Sequence, residues 1–595
     1  MSVRGWAGII PSPAPSRGPF IKVIARWWAF VCWKRTGVEP MPLPKEPFLR
    51  NYRLLISTLS PIHIGCGEDY EPTHYLMHGG VLYTFDPVAA LASDAPARDK
   101  LLEIVNRQQG EETIRKIQNF FYQRKETLIP EHRHRMPVGE GIQAFYDKRI
   151  GTVTQADTKA VNKLHIERTA FVSTNDQAIM PGSSLKGAIR TALLDAVHAG
   201  KPLVDKRGAE NGGNSWKGLS PINETLRDCL PKEFERDPMR LIRVGDAYQS
   251  ETSEHNGVFF AVNRKSSGVK GRGPYQTLEC LSPMRLESFI ADLSLLDTEQ
   301  ARKYNDVQAD NKKLLPPRHL QWDATAITQR CNKYYKEQLL REITEMNGLL
   351  HADWAKTLRQ SLEGGNLERL MIENKAFLLR VGRHSGAESV TLNGARHIKI
   401  MQGGGRPPKW GPGATTIWLA ARNIEQENDL LPFGWLLVEL VEIDDCSRRP
   451  LLETAPELAK LANMFKNDRT DRLKVSDDYL VSLRQKKDAR LQEMERRKTE
   501  DDKRQAEEEI RQEQLAKMTP NQRKIEKLRE SIHKTPHPQP ISGQLWQDVG
   551  KLVKEAAAWP AEEKAELARV CREELPGKLN VDKKRLQSLQ DTLLT

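Results

Sequence analysis

Apolar and polar positions alternate along this chain in two periods, one of strands and one of helices. Arg53–Leu59 is a short apolar run rich in strand formers that stops at Ser60-Pro61, which predicts a buried strand. His74–Met77 and Val81–Phe85 flank His78-Gly79-Gly80, whose two glycines supply the positive φ of a tight hairpin turn. Asp86-Pro87 reads as the N-cap and first residue of a helix carrying Val88 and Leu91. Residues 99–127 read as a charged amphipathic helix, and Arg168–Thr174 as a strand closed by the Asn175-Asp176 turn. After Met180-Pro181-Gly182-Ser183-Ser184, apolar residues fall at Leu185, Ala188, Ile189, Ala192, Leu193, Ala196 and Val197, a period near 3.6 ending at Gly200 with Pro202 beyond. This predicts a helix of about four turns with one buried face.

Further strands are expected at Leu241–Ala247, Val258–Val262, Thr277–Leu281, Arg285–Ile290, Ala376–Val381, Thr416–Ala420 and Trp435–Glu442, with helical spacing over Asp323–Asn347. The mixture lacks a steady strand–helix alternation, so the class is α+β, with helices on one face of sheets rather than a doubly wound parallel sheet. From about Arg484 to Lys534 interspersed charges dominate and large apolar residues become rare, which reads as a charged helical linker. Leu491, Met494, Ile510, Leu515 and Met518 keep no heptad, favouring an exposed helix or tether over a dimeric coiled coil. Thr535–Pro540 ends the segment with proline, and Leu545, Trp546, Val549, Leu552, Val553 and Ala556 restore helical periodicity, predicting a small C-terminal helical module.

The 595 residues leave room for a large core without disulfide help. Seven cysteines are scattered with no CxxC pair, so neither zinc nor a disulfide framework is expected, and reduced thiols in a cytoplasm fit the odd count. The apolar stretch Ile21–Trp33 is interrupted by Lys22 and Arg26 and is too short to span a bilayer, so no membrane span is expected. Met41 offers a second translation start just before the first strand, which would make residues 1–40 an upstream extension, and residues 1–45 are expected to lie outside the fold. The formal charge of +12 favours an anionic partner such as nucleic acid, with a merely soluble basic protein as the alternative.

Three places could carry chemistry. The free N–H groups and dipole of the helix opening at Gly182-Ser183-Ser184 make an anion site, and Lys186 and Arg190, one turn apart, set two cations where the dipole prefers anions. A bound phosphate would resolve that conflict; plain solvation of both side chains is the alternative. Arg380-Val381-Gly382-Arg383-His384-Ser385-Gly386 is a strand running into a turn with two glycines, arginines that can fork onto phosphate, and a histidine. It matches neither GxGxxG nor GxxxxGK[ST], so nucleoside triphosphate binding has no specific support. Ser60-Pro61-Ile62-His63-Ile64-Gly65 holds a histidine able to act as acid, base or phosphate donor, though a histidine between two isoleucines is more often structural. His132-Arg133-His134-Arg135 reads as a basic patch, as do the glycine-rich loops Arg264–Pro274 and Gly403–Lys409. No cofactor or metal motif accompanies them.

The order and spacing of Leu59–Gly65, the hairpin running to Tyr83–Asp86, Pro181–Leu193 and Arg380–Gly386 resemble the RAMP superfamily of CRISPR-associated RNA-binding proteins, and more narrowly the fifth subunit of the type III-A Csm effector complex. The likeness runs from about residue 50 to about 445. It implies tandem ferredoxin-like, RNA-recognition-type modules, placed here at 46–265 and 266–480 and followed by the linker 481–534 and the module 535–595. It implies a non-catalytic, cytoplasmic subunit that caps the 3′ part of the guide RNA and supports guide maturation. Its partners would be guide RNA, target RNA, neighbouring RAMP backbone subunits and host nucleases. Carried onto this chain, the RNA-binding residues are His63, Gly65, Gly182, Ser183, Ser184, Lys186, Gly187, Arg190, Gly382, Arg383, His384, Ser385 and Gly386. The rival is an endoribonuclease of the same superfamily, using His63 or His384 with Lys186 in metal-independent acid–base cleavage of precursor RNA.

Overall fold

The computed structural model describes residues 48–594 apart from 93, 108–110, 151–163, 202–228, 232, 251–255, 266–268, 270, 272–273, 306–314, 397, 401–406, 408 and 444–448. The Ile21–Trp33 stretch, Met41 and most of the Gly403–Lys409 loop therefore lie outside the described residues. The chain divides into two compact units, Met1–Leu483 and Arg484–Thr595.

The first unit begins with β1 (Leu49–Thr58), β2 (Gly65–Tyr70), β3 (Tyr75–His78), β4 (Val81–Thr84), β5 (His134–Pro137) and β6 (Ile166–Thr169). Helix α1 (Gly182–His198) leads to β7 (Ile242–Val244), β8 (Tyr248–Gln249), β9 (Asn256–Arg264), β10 (Gln276–Leu281) and β11 (Arg285–Leu296). Helix α2 (Ala324–Glu345) precedes β12 (Ala376–Arg380), β13 (Ile398–Ile400), β14 (Lys409–Gly411), β15 (Ile417–Ala421), β16 (Leu431–Pro432) and β17 (Trp435–Glu442). One sheet runs β12-β17-β1-β11-β7, with β8 also on β11, and every pairing in it is antiparallel. Within it β1, α1, β7, β11, α2 and β17 follow the strand–helix–strand–strand–helix–strand order of the split βαβ unit, with β12 added at the edge.

The second large sheet runs β16-β15-β9-β10-β6-β2. Each of its strands lies on a connection between elements of the first: β2 and β6 between β1 and α1, β9 and β10 between β8 and β11, β15 and β16 between β12 and β17. Both sheets thus draw strands from either side of residue 265, and the boundary expected at 265/266 separates no two sheets. The two sheets share one core, from Leu54, Ile56 and Ile62 through Phe260, Leu278 and Phe289 to Phe377, Leu437 and Trp435, all 0–1% exposed.

Local rules place many of the element ends. Asp86 accepts hydrogen bonds from the N–H groups of Val88 and Ala89 at 2.9 and 3.3 Å, and Asp323 caps α2 by accepting from the Ala326 N–H at 2.7 Å. The expected buried face of α1 is in place, with Leu185, Ile189, Ala192 and Leu193 no more than 1% exposed. Within residues 99–127 the described helical pieces are Ala95–Arg107, Glu111–Tyr122 and Lys125–Leu128, and the expected helix is broken at Gln123-Arg124. The strand expected at Arg168–Thr174 ends at Thr169, because the Asn175-Asp176 turn folds Ala178 back into a bridge with Phe171.

Helix α3 (Pro456–Lys517) begins in the first unit, where Leu458, Leu461 and Phe465 join the main core and Leu480 and Leu483 pack with Tyr83, Phe85 and Phe121. In the second unit its residues carry i,i+3 and i,i+4 pairs such as Arg496–Glu493 and Lys517–Glu513, which support an exposed helix without a buried face. Helices α4 (Pro520–Lys534), α5 (Gln544–Ala556), α6 (Ala561–Glu573) and α7 (Lys583–Leu594) form the C-terminal module. Thr519 and Gln522 build a capping box at the start of α4. Ile525, Leu528 and Ile532 of α4 are core residues, so the module begins near 520 and the segment 520–534 is not linker.

Candidate nucleic-acid interface

Two of the three motifs meet where the chain crosses from the first sheet to the second. His63 lies between β1 and β2, and Gly382–Gly386 follow β12. The Arg383 N–H donates to the His63 carbonyl at 2.8 Å, the Gly434 N–H to the Pro61 carbonyl at 3.0 Å, and the Val381 N–H to the Gly434 carbonyl at 2.9 Å. Three crossings are thereby stitched together by backbone bonds. Gly382 has φ +82°, and a Cβ there would stand 2.3 Å from the His63 carbonyl oxygen. Glycine is required at this position by the approach of one backbone to another.

The side chains at the junction are largely committed to protein partners. His63 is fully buried; its Nδ1 donates to the Glu279 carbonyl at 2.8 Å, and Nε2 has no partner among the described residues. Burial pulls its pKa down despite that carbonyl, so the ring is neutral. Gly65, next to it, is exposed. Arg383 pairs with Glu167 of β6. His384, with φ +62°, stacks on Trp418 of β15 at 4.6 Å and shares a 2.7 Å hydrogen bond with Gln276 of β10. Burial, then the neighbouring Arg383 and His63, lower its pKa to about 4. Ser385 is buried, and Gly386, φ +79°, turns the chain beside Arg380.

Beneath the junction lies an ion pair that motif reading did not single out. The Arg380 guanidinium, 5% exposed, donates to Glu342 of α2 at 2.9 Å and to the Phe433 carbonyl at 2.9 Å. The Trp435 indole N–H donates to the other Glu342 oxygen at 2.7 Å. Nothing near Glu342 in the sequence announces this, since its partners stand 38 and 93 residues away.

The third motif, the start of α1, is built differently from expectation. No side chain of its own caps the helix; the Gly182 N–H donates to the Asp246 carboxylate at 2.7 Å. A Cβ on Gly182 would meet the Val244 and Gly245 carbonyl oxygens at 2.4 and 2.6 Å, so this glycine lets the helix start pack against the end of β7. The first N–H is therefore spent on a carboxylate, which is the anion the dipole prefers. Ser183 and Gly187 are exposed, Ser184 half-buried, and a Cβ on Gly187 would meet open space. Lys186 and Arg190 are half-buried, and no described residue forms an ion pair or hydrogen bond with either side chain. No hydrogen bond or ion pair joins Lys186 or Arg190 to the Gly382–Gly386 loop among the described residues.

The His132–Arg135 patch is neutralised within the fold. Arg133 pairs with Asp86 at 2.7 Å and Arg135 with Asp477 of α3 at 2.6 Å, while burial lowers the His134 pKa to about 4. Arg264, at the start of one basic loop, is buried and donates to the carbonyls of Ile424 and Gln426. Among the described residues no group of His, Cys, Asp and Glu is arranged to hold a metal ion, and no helix is long and apolar enough to cross a membrane.

No curated protein matches the chain. Among solved structures it is similar to a chain of a Csm–crRNA–target RNA ternary complex of a type III-A CRISPR-Cas system, with 15% identity over 65% of this chain and 100% of that one and a TM-score of 0.37. It is also similar to the crystal structure of T. onnurineus Csm5, with 18% identity over 65% of this chain and 99% of that one and a TM-score of 0.35. The model of the RAMP superfamily matches residues 55–274. The resemblance carried by the sequence motifs is thus matched by this family model over the part of the chain from β1 through α1 to the β9–β10 connection.

Proposed function

We propose that the chain is a non-catalytic RNA-binding subunit of a type III CRISPR effector ribonucleoprotein, holding the 3′ part of the guide RNA. Its partners in this reading are guide RNA, target RNA and neighbouring RAMP backbone subunits, with host nucleases acting in guide maturation. The observation that carries the reading is the pair Lys186 and Arg190. They stand one turn apart on α1, inside the RAMP-matched segment, and no described residue neutralises them. Most other cations of the motifs are already spent: Arg380 on Glu342, Arg383 on Glu167, Arg133 on Asp86. Two uncompensated cations on a helix edge suit a phosphodiester backbone, which carries no sequence information, and a guide whose spacer varies needs a holder indifferent to sequence.

The absence of catalysis is supported by the state of the histidines. A general acid–base must reach the proton it moves, and His63 presents no surface. His384 is held by Trp418 and Gln276, and with a pKa of about 4 it is a weak base and holds almost no proton to give at neutral pH.

The test is end-labelled repeat–spacer RNA with Mg²⁺ and the full chain at several salt concentrations, run in parallel on native and denaturing gels. A salt-sensitive shift with intact RNA is expected, and Lys186→Ala with Arg190→Ala should flatten the slope of log K against log salt by up to about one counterion each. Discrete cleavage abolished by His63→Ala or His384→Ala would overturn the reading in favour of the endoribonuclease, and an unchanged slope in the double variant would remove α1 from the interface.

A further inference from the structure

A cavity of about 410 Å³ opens beside the Gly386 turn, between α2 and the segment Pro412–Trp418. That volume lies in the range of small-ligand sites. Its lining differs from that of the α1 edge. Arg341 and Glu345 of α2 are exposed, and no described residue pairs with either. Arg396 donates to the Glu388 carbonyl at 3.1 Å and the Thr391 hydroxyl at 3.3 Å, both neutral acceptors, and no described carboxylate pairs with it. Glu388 spends one carboxylate oxygen on the Ala414 N–H at 2.7 Å. Arg380 and Glu342 also line the cavity but cancel each other.

Two cations and two carboxylates thus face the space, and a phosphate entering it would meet as much repulsion as attraction. A neutral ring with donors and acceptors on its edge suits such walls, since arginine donates to ring nitrogens and carbonyls while carboxylate accepts from exocyclic amines. The stacked rings of Trp418 and His384 line the same cavity and offer an apolar surface for its face. Gln338 adds an amide at the same wall, its Oε1 fixed by the Ser389 hydroxyl at 3.0 Å.

We propose that this cavity seats one unstacked nucleobase of the bound RNA against Trp418 and His384, with Arg341, Arg396, Glu345 and Glu388 meeting its edge. The inference rests on the chain's being an RNA binder and adds a contact of a different kind, to a base rather than to phosphate. Stacking tolerates every base, so the seat is compatible with a guide of variable sequence.

The experiment uses the full chain and single-stranded RNA carrying 5-iodouridine at successive positions, with photocrosslinks mapped by mass spectrometry and affinity measured at three salt concentrations. Crosslinks to the peptide holding Trp418 are expected from the wild-type chain. Trp418→Ala should weaken binding about fivefold or more, as stacked bases do, while leaving the salt slope unchanged. Should Trp418→Ala not fold, the wild-type crosslink decides alone. Salt-sensitive binding with crosslinks confined to other peptides, or with Trp418→Ala within twofold of wild type, would overturn the base seat and leave the RNA-binding reading intact. Loss of all salt-sensitive binding by the wild-type chain would overturn that reading instead.

Discussion

Gly382 and Gly187 stand in two motifs of similar composition and do opposite work. At Gly382 the backbone has φ +82° and any Cβ would be forced to 2.3 Å from the His63 carbonyl oxygen. Gly382→Ala should therefore destabilise the first unit by about 2 kcal/mol or more, combining left-handed strain with a clash against backbone that cannot yield. Gly187 is a helical glycine with nothing within 4 Å of an added Cβ. Gly187→Ala should stabilise by about 0.5–1 kcal/mol, the helix-propensity difference. Urea denaturation midpoints of the two variants check both signs, and a neutral Gly382→Ala would show that the crossing from β12 is not held as described. In sequence the two glycines look alike as places for a ligand to approach. The difference lies in what the fold brings opposite each one, and the residue facing Gly382 is more than 300 positions away in the chain.

Between elements, the Arg380–Glu342–Trp435 cluster ties β12 and β17 of the first sheet to α2, which covers it. Glu342→Ala would leave the Arg380 guanidinium 5% exposed and without its carboxylate, and strip the Trp435 indole N–H of its acceptor. An uncompensated buried charge of this kind costs about 3–5 kcal/mol. The double variant Glu342→Leu with Arg380→Met should lose clearly less than the sum of the single changes, because it removes both charges together. Thermal and chemical denaturation of the three variants measures that coupling, and strict additivity would mean the pair is not coupled. This scale also shows what could be read in advance. Runs such as Ala376–Val381 and Trp435–Glu442, and the periodicity of α1, carry their own burial signal and form where expected. β2, Gly65-Cys66-Gly67-Glu68-Asp69-Tyr70, was not legible, since all but Tyr70 are exposed and pairing with β6 alone makes it a strand. The interleaving of the two sheets was illegible for the same reason: an apolar run reports that a strand is buried, not which strand lies beside it. The His132–Arg135 cluster reads as a basic patch only until Asp86 and Asp477 arrive from elsewhere in the chain.

For the whole molecule, the +12 charge does not say which unit binds an anion, and the division at Leu483 allows the question to be put experimentally. The first unit closes its cores with residues up to Leu483, and the C-terminal core uses only residues from Ile525 onward. Each unit is long enough to bury a core of its own. A chain ending at Leu483 should therefore fold cooperatively, and so should the segment Arg484–Thr595, each giving a single unfolding transition by circular dichroism. If Lys186 and Arg190 contact the phosphates, the chain ending at Leu483 should retain most of the salt dependence of RNA binding, and substituting both residues should flatten it there as in the full chain. The long helix of the second unit carries its charges in near-balanced i,i+3 and i,i+4 pairs, which leave little net field for a polyanion. A salt slope that collapses on removal of residues 484–595, with Lys186 and Arg190 intact, would move the polyanion site out of the first unit and into the C-terminal helices.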